Sequence, residues 1–200
     1  MSTSNQPTEL PGLRNIAISG RIAAGSTSLA NKLSEILNWK HIEGGDVFWE
    51  AIRKKMALEP KDTRLRPDKE DADFDASLKK MLREEDHIVL ETKLAAFNAQ
   101  GIEGIYKILV ICENAQGEDQ TQIRIDRLLN RETQSVEKAK EEILVREKSD
   151  LEKWQKLYAN GDPNWTYWDH KYYDLIVNTY SLNKEEALRF VLEKIGISGQ

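Results

Sequence analysis

Short apolar runs alternate along the chain with longer stretches in which apolar residues return every three or four positions. Residues 15–19 (NIAIS) are a compact apolar run ending at Gly20, the pattern of a buried strand. From Ser28 the spacing changes, and Leu29, Leu33, Ile36 and Leu37 predict a helix with one apolar face. Residues 41–43 read as a short second strand. Val47, Phe48, Ala51 and Ile52 predict a second helix ending near Leu58, and the charged, proline-interrupted stretch 59–70 reads as an exposed connection. Phe74, Leu78 and Leu82 mark another helix. Residues 87–90 (HIVL), closed by Glu91, form a third strand, 105–112 a fourth and 174–178 (DLIVN) a fifth. Residues 121–131 and 135–158 read as consecutive helices rich in both signs of charge. Asn160, Gly161, Asp162 and Pro163 stop the second, and 184–195 is the last helix.

Strands alternating with helices predict an α/β fold, a mostly parallel sheet covered on both faces. The first strand and the strand ending at Glu91 are expected side by side at its centre. Ligands in such folds sit at the carboxyl ends of strands. Attention therefore falls on residues 20–27, 44–46 and 91–93, which follow the first three strands.

Residues 20–27 (GRIAAGST) come close to the phosphate-loop pattern G-x-x-x-x-G-K-[ST], in the required setting of strand, loop and helix. Such a loop turns backbone N–H groups toward a phosphate, and the helix after it adds unpaired N–H groups and a positive dipole end. Gly20, Arg21, Ile22, Ala23, Ala24, Gly25, Ser26, Thr27 and Ser28 are the candidate phosphate ligands. Thr27 stands where a magnesium-binding hydroxyl belongs. Ser26 stands where the pattern has lysine. Alternatively, Ser26, Thr27 or Ser28 simply caps the helix.

Composition narrows the class. The 200 residues are 40% hydrophobic and 32% charged, the size and balance of one domain, with 1–13 a flexible tail and 14–200 a single unit. Lys and Arg total 29 against 34 Asp and Glu, a net charge of -5, which argues against nucleic acid as the main partner. The polar start lacks the apolar core of a signal peptide, and no run approaches the roughly 20 apolar residues of a membrane span. Cys112 is the single cysteine, so no internal disulfide is expected and a reducing cytoplasm is the natural setting. His41, His87 and His170 show no partner pattern for metal or nucleophilic chemistry, and Trp39 and Trp49 read as packing residues. The aromatic stretch 164–168 (NWTYW) packs under a loop or stacks on a base.

Taken in order, these motifs resemble cytidylate kinases, especially their short archaeal and bacterial branch, over about residues 16–195. Gly45, Asp46, Val47 and Phe48 with Arg53 match that family's turn into an arginine-bearing helix. Residues 88–95 (IVLETKLA) look like its third strand, with an acidic end and a basic residue beyond. Residues 123–131 look like its arginine-repeating helix. Residues 141–158, with Arg146 and Glu147, resemble its lid helix, and 173–179 (YDLIVNT) its fifth strand.

The resemblance implies a three-layer α/β/α P-loop fold and ATP-dependent phosphoryl transfer to a nucleoside monophosphate, CMP or dCMP first. ATP and Mg2+ would be the cofactors and small nucleotides the partners of a monomer or weak dimer. Asp46 and Arg53, with Lys93, would face the acceptor, although Asp46 also suits a helix cap. Thr27 and Glu91 would serve the metal, Glu91 being otherwise only an acidic strand end. Residues 124–158 would form a lid whose Arg124, Arg127, Arg131 and Arg146 close over the phosphates. Phosphoryl transfer needs positioning and charge neutralisation, which arginine forks supply. Arg124, Arg127 and Arg131 share one helix face, which suits phosphate or an exposed face paired with Asp126 and Glu132. Arg21, Lys93 and the lid arginines are candidates to replace the lysine's charge. Ser26 also leaves open a nucleotide-binding module with little activity, and the aromatic stretch leaves open another small acceptor.

Overall fold

The computed structural model describes residues 6–44, 67–131 and 135–197. Its centre is a five-stranded, all-parallel sheet in the order β2-β3-β1-β4-β5. The strands are β1 (Asn15–Gly20), β2 (Lys40–Glu43), β3 (Ile88–Glu91), β4 (Ile105–Ile111) and β5 (Leu175–Asn178). The expected architecture is present, with β1 in the middle and β3 beside it. Every residue of β1 is buried, as its uninterrupted apolar run requires.

Alternate residues of β1 serve two cores. Ile16 and Ile18 face α1 (Ser26–Leu37) and the last helix, α7 (Lys184–Lys194), meeting Leu29, Leu33, Leu37, Ala187 and Val191. Ala17 faces the other way, toward α2 (Asp68–Glu84) and the short α3 (Ala95–Asn98), among Leu78, Leu82, Ala95 and Ala96. This period-two alternation gives the three layers. The helix α2 begins at Asp68, inside the stretch read as a connection, with Asp68, Glu70 and Asp71 in its first turn, where the helix dipole favours acids. Helix α3 carries too few residues for a periodicity to announce it.

The predicted lid lies between β4 and β5. It contains α4 (Thr121–Arg131), α5 (Val136–Lys140), a π-helical stretch (Glu141–Arg146) and α6 (Glu147–Tyr158). Two small cores hold these elements to the domain. Ile125, Leu128, Ala139 and Ile143 pack against Ile22 and Ala23 of the glycine loop. Leu94, Trp154 and Tyr167 gather Phe97, Tyr158, Trp165 and Trp168 around them, so the aromatic stretch is a packing cluster. The N-terminal tail is anchored from Thr8 onward. The Thr8 N–H donates to the Leu37 carbonyl (2.8 Å), Trp39 Nε1 donates to the Thr8 carbonyl (2.9 Å), and Leu10 is buried.

One buried polar residue pins β1 to its neighbour. Asn15 Nδ2 donates to the carbonyls of Glu85 (2.8 Å) and Leu82 (3.2 Å), and its Oδ1 accepts from the Ile88 N–H (2.9 Å). Asn15→Leu strands these groups without partners. It should cost about 2–4 kcal/mol, read as a lowered midpoint of urea unfolding.

Candidate active site

The loop after β1 sits where the parallel register brings strand ends together. Ile18 pairs with Glu91 and Gly20 with Val110, so the carboxyl ends of β3 and β4 flank the loop. A Cβ on Gly20 would lie 3.0 Å from Ser26 Cβ and 3.3 Å from the Val110 carbonyl, a tight fit that would press on Ser26. Ala23 (φ 59°) and Gly25 (φ 113°) take left-handed backbone, a conformation that turns successive N–H groups into a concave anion nest. Gly25 is the N-cap of α1, and no side chain caps that helix. Its first N–H groups are therefore available to a ligand.

A cavity of about 490 Å³ opens directly on this loop. Residues 23–29 form one wall, Arg127, Asn130 and Arg131 of α4 a second, and Thr179, Leu182 and Asn183 a third. Arg127 fastens the walls together. Its Nη1 donates to Thr179 Oγ1 (2.8 Å) and the Ala24 carbonyl (3.3 Å), and its Nη2 to the Thr179 carbonyl (2.7 Å). The Thr179 hydroxyl donates to the Ala24 carbonyl (2.7 Å). Thr179 follows β5 as the loop follows β1. That position was the available signal for it, yet it had no place among the expected site residues.

Ser26 and Thr27 both turn to Glu91. Ser26 Oγ donates to Glu91 Oε1 (2.7 Å), and Thr27 Oγ1 lies 3.4 Å from Oε2. Burial pushes the Glu91 carboxyl up to about 7, against the pull of the Ser26 hydrogen bond. A carboxylate beside a hydroxyl is a hard oxygen donor set suited to Mg2+. Among the described residues no group of three His, Cys, Asp or Glu could hold a metal by itself.

The arginines divide into two sets. Arg127 and Arg131 line the cavity. Arg124, on the same helix, is enclosed. Its Nη2 meets Asp119 (2.9 Å) and Glu147 (3.1 Å), and its Nη1 meets the Ile22 carbonyl (2.8 Å) and Glu147 (3.1 Å). Arg21 is drawn into the same network, with Nη2 at 2.7 Å from Glu147, Nη1 at 3.1 Å from Asp119, and its guanidinium over the Trp168 ring. Burial opposes the Glu147 charge, yet Arg21, and Arg124 with it, holds that carboxyl below the usual carboxylate range. Asp119 lies in the connection after β4, where only its place beyond a strand end could have drawn attention.

Lys93 pairs with the buried Asp150 (2.6 Å), and burial pushes its ammonium down against that pull. Arg146 turns back along its own helix to Glu142 (2.5 Å) and lies 4.0 Å from Asp150. Asp46 and Arg53 lie outside the described residues. Cys112 is buried, with its thiol free. No helix among the described residues is long and apolar enough to cross a membrane.

No family model matches the chain. Among curated proteins, it is 33% identical over 174 residues to a cytidylate kinase of Haloquadratum walsbyi, spanning 86% of this chain and 84% of the relative. It is 30% identical over 181 residues to a cytidylate kinase of Natronomonas pharaonis, spanning 89% and 86%. Among solved structures, an uncharacterized protein of Eubacterium ventriosum superposes with a TM-score of 0.63 at 16% identity, over 91% of this chain and 98% of that one. A shikimate kinase of Acinetobacter baumannii bound to shikimate gives 0.54 at 12% identity, over 92% and 93%. These two share the fold.

The Glu91 carboxyl carries a pH signature. Its ordinary value is 4.5 and its folded value about 7. Between those values the ligand-free folded protein keeps a proton that the unfolded chain has released. Stability from this group therefore falls as pH rises through that window, by up to roughly 3 kcal/mol. Denaturant unfolding at pH 5 and pH 8 should show this decline in the natural protein and a flatter profile in Glu91→Gln.

Proposed function

We propose that this chain, which belongs to the cytidylate kinase family, transfers the γ-phosphoryl group of ATP to a nucleoside monophosphate, with CMP or dCMP as the acceptor. The observation that carries this reading is the cavity whose floor is the uncapped start of α1 and the left-handed loop before it.

In this reading ATP occupies that cavity. Its phosphates meet the backbone N–H groups of the loop and helix start within residues 20–28, apart from that of Ile22, which Glu147 holds, and its base and ribose lie toward Arg127, Leu182 and Asn183. Thr27 and Glu91 hold Mg2+, which when bound neutralises charge on the β- and γ-phosphates. Arg131, and Arg127 through the N–H groups it does not give to Thr179 and Ala24, stand on the wall facing the loop and offer donors to phosphate oxygens. Lys93, Asp46 and Arg53 serve the acceptor, the first from beside Asp150, and Arg146 of the lid serves the phosphates. The packed lid excludes water, which otherwise competes as acceptor. The protein works in the cytoplasm as a monomer or weak dimer.

One structural fact favours modest turnover. Ser26 supplies no positive charge, and Arg21, a candidate to replace it, is already matched by Glu147 and Asp119. The charge at the transferring group then falls to Arg127, Arg131 and the metal.

A coupled assay of ATP consumption against CMP, dCMP, UMP and AMP tests the reading. Transfer is expected to be fastest with a cytidine nucleotide. Arg127→Ala should raise the KM for ATP about tenfold or more and leave the acceptor KM within a few-fold, as loss of a charged hydrogen bond implies. Ser26→Lys should raise kcat or leave it unchanged. ATP binding without transfer to any monophosphate, unrelieved by Ser26→Lys, would leave a nucleotide-binding module as the better account.

A further inference from the structure

Ile22 is the third residue of the glycine loop, and side chains from outside the loop take both polar ends of its backbone. Its N–H donates to Glu147 Oε1 at 3.1 Å, and its carbonyl accepts Arg124 Nη1 at 2.8 Å. The same two side chains bind each other as a parallel fork, with Nη1 to Oε1 and Nη2 to Oε2 each at 3.1 Å. Arg124 and Glu147 are only 1% and 3% exposed, so water scarcely competes for these bonds. The Ile22 and Ala23 side chains pack against Ile125, Leu128, Ala139 and Ile143, closing the clamp from its apolar side.

We propose that Arg124 and Glu147 are positioning residues that set the backbone of Ile22, and through it the phosphate-facing N–H groups of the loop, before nucleotide arrives. The inference rests on the reading of that loop as the ATP site. Arg124 acts through the loop rather than on phosphate. Both its Nη atoms are spent on Glu147, Asp119 and the Ile22 carbonyl, and its Nε, which has no hydrogen-bond partner among the described residues, is buried, so a phosphate would reach the guanidinium only by opening the clamp. The loop needs such a template. Ala23 holds a left-handed φ that alanine disfavours, and Gly20 and Gly25 leave their backbone loosely determined by their own residues. Donors fixed in advance cost the ligand less to engage.

Two measurements on the full chain test this. In the nucleotide-free natural protein, amide exchange followed by NMR should show the Ile22 N–H as slow, because Glu147 already holds it. Glu147→Gln keeps the size but loses the charge and the fork. It should speed that exchange and weaken a non-hydrolysable ATP analogue about tenfold or more by calorimetry, with the CMP KM within twofold. Arg124→Lys should do the same, and serves if the glutamine variant does not fold. Fast exchange at Ile22 in the natural protein overturns the proposal whatever the variants do. So does a folded Glu147→Gln of unchanged analogue affinity. A gain in affinity overturns it too, since Glu147 would then be competing with phosphate. If the natural protein binds no ATP analogue, the proposed function fails, while the exchange at Ile22 still reports on the clamp.

Discussion

The parallel pairing of β1 with β3 and β4 sets the distances on which the site depends. Because Ile18 stands beside Glu91 and Gly20 beside Val110, the loop leaves the sheet with a carboxylate on one side and a backbone carbonyl on the other. Ser26 then reaches Glu91 at 2.7 Å beside Gly20, where a Cβ would crowd the Ser26 hydroxyl at 3.1 Å. A slip of one residue in β1 would turn Ile16 and Ile18 into the opposite core and carry the loop away from Glu91. The buried Asn15, bonded to Leu82, Glu85 and Ile88, opposes that slip from the other end of the strand.

Around the loop the structure buries charge in balanced sets. Arg21, Arg124, Asp119 and Glu147 form two positive and two negative groups whose ion pairs lie between 2.7 and 3.1 Å. Burying one ion alone would be prohibitive, and a matched set returns part of that cost through short, charge-assisted bonds. Such a set rewards one arrangement of its partners over others. Here the partners come from the glycine loop, the connection before α4, α4 itself and the start of α6, so their agreement joins lid to loop. Trp168 adds a flat face against the Arg21 guanidinium at 4.6 Å from its ring centroid, which leaves that side chain few other orientations.

Much of this was legible in the chain. The five strands follow from short continuous apolar runs, the helix after the glycine loop from its 3.6-residue spacing, and the parallel pairing from the alternation of the two. The pairing of Thr27 with Glu91 was foreseeable because both residues end or follow strands that the fold must bring together. The destinations of individual arginines were not. Arg124, Arg127 and Arg131 share a helix face by spacing, yet Arg124 enters an ion network while the other two line a cavity. The difference lies in Asp119 and Glu147, five residues before Arg124 and twenty-three after it, whose approach depends on how α6 folds back. Helical periodicity says which residues share a face and nothing about which acids arrive on it. Lys93 shows the same limit, since Asp150 lies fifty-seven positions away.

The serine at position 26 gains a physical sense from its surroundings. A lysine there would stand beside a buried carboxylate, and the two would neutralise each other. With serine, Glu91 keeps a neutral hydroxyl donor and stays close to its protonation point, held up to about 7 by burial. Such a carboxyl has hydroxyl partners but, among the described residues, no paired cation, and a cation arriving with a ligand would favour its ionised form. On the proposed reading, magnesium carried by the triphosphate meets a carboxylate that no lysine has already paired, with Thr27 beside it at 3.4 Å from the second oxygen. The positive charge at the loop is then divided between the incoming metal and the arginines of α4. Arg21, the loop's own cation, is assigned to holding the lid. On that reading, the division would account for a loop that keeps the glycines, the threonine and the helix start of the phosphate-loop pattern with serine in the place of its lysine.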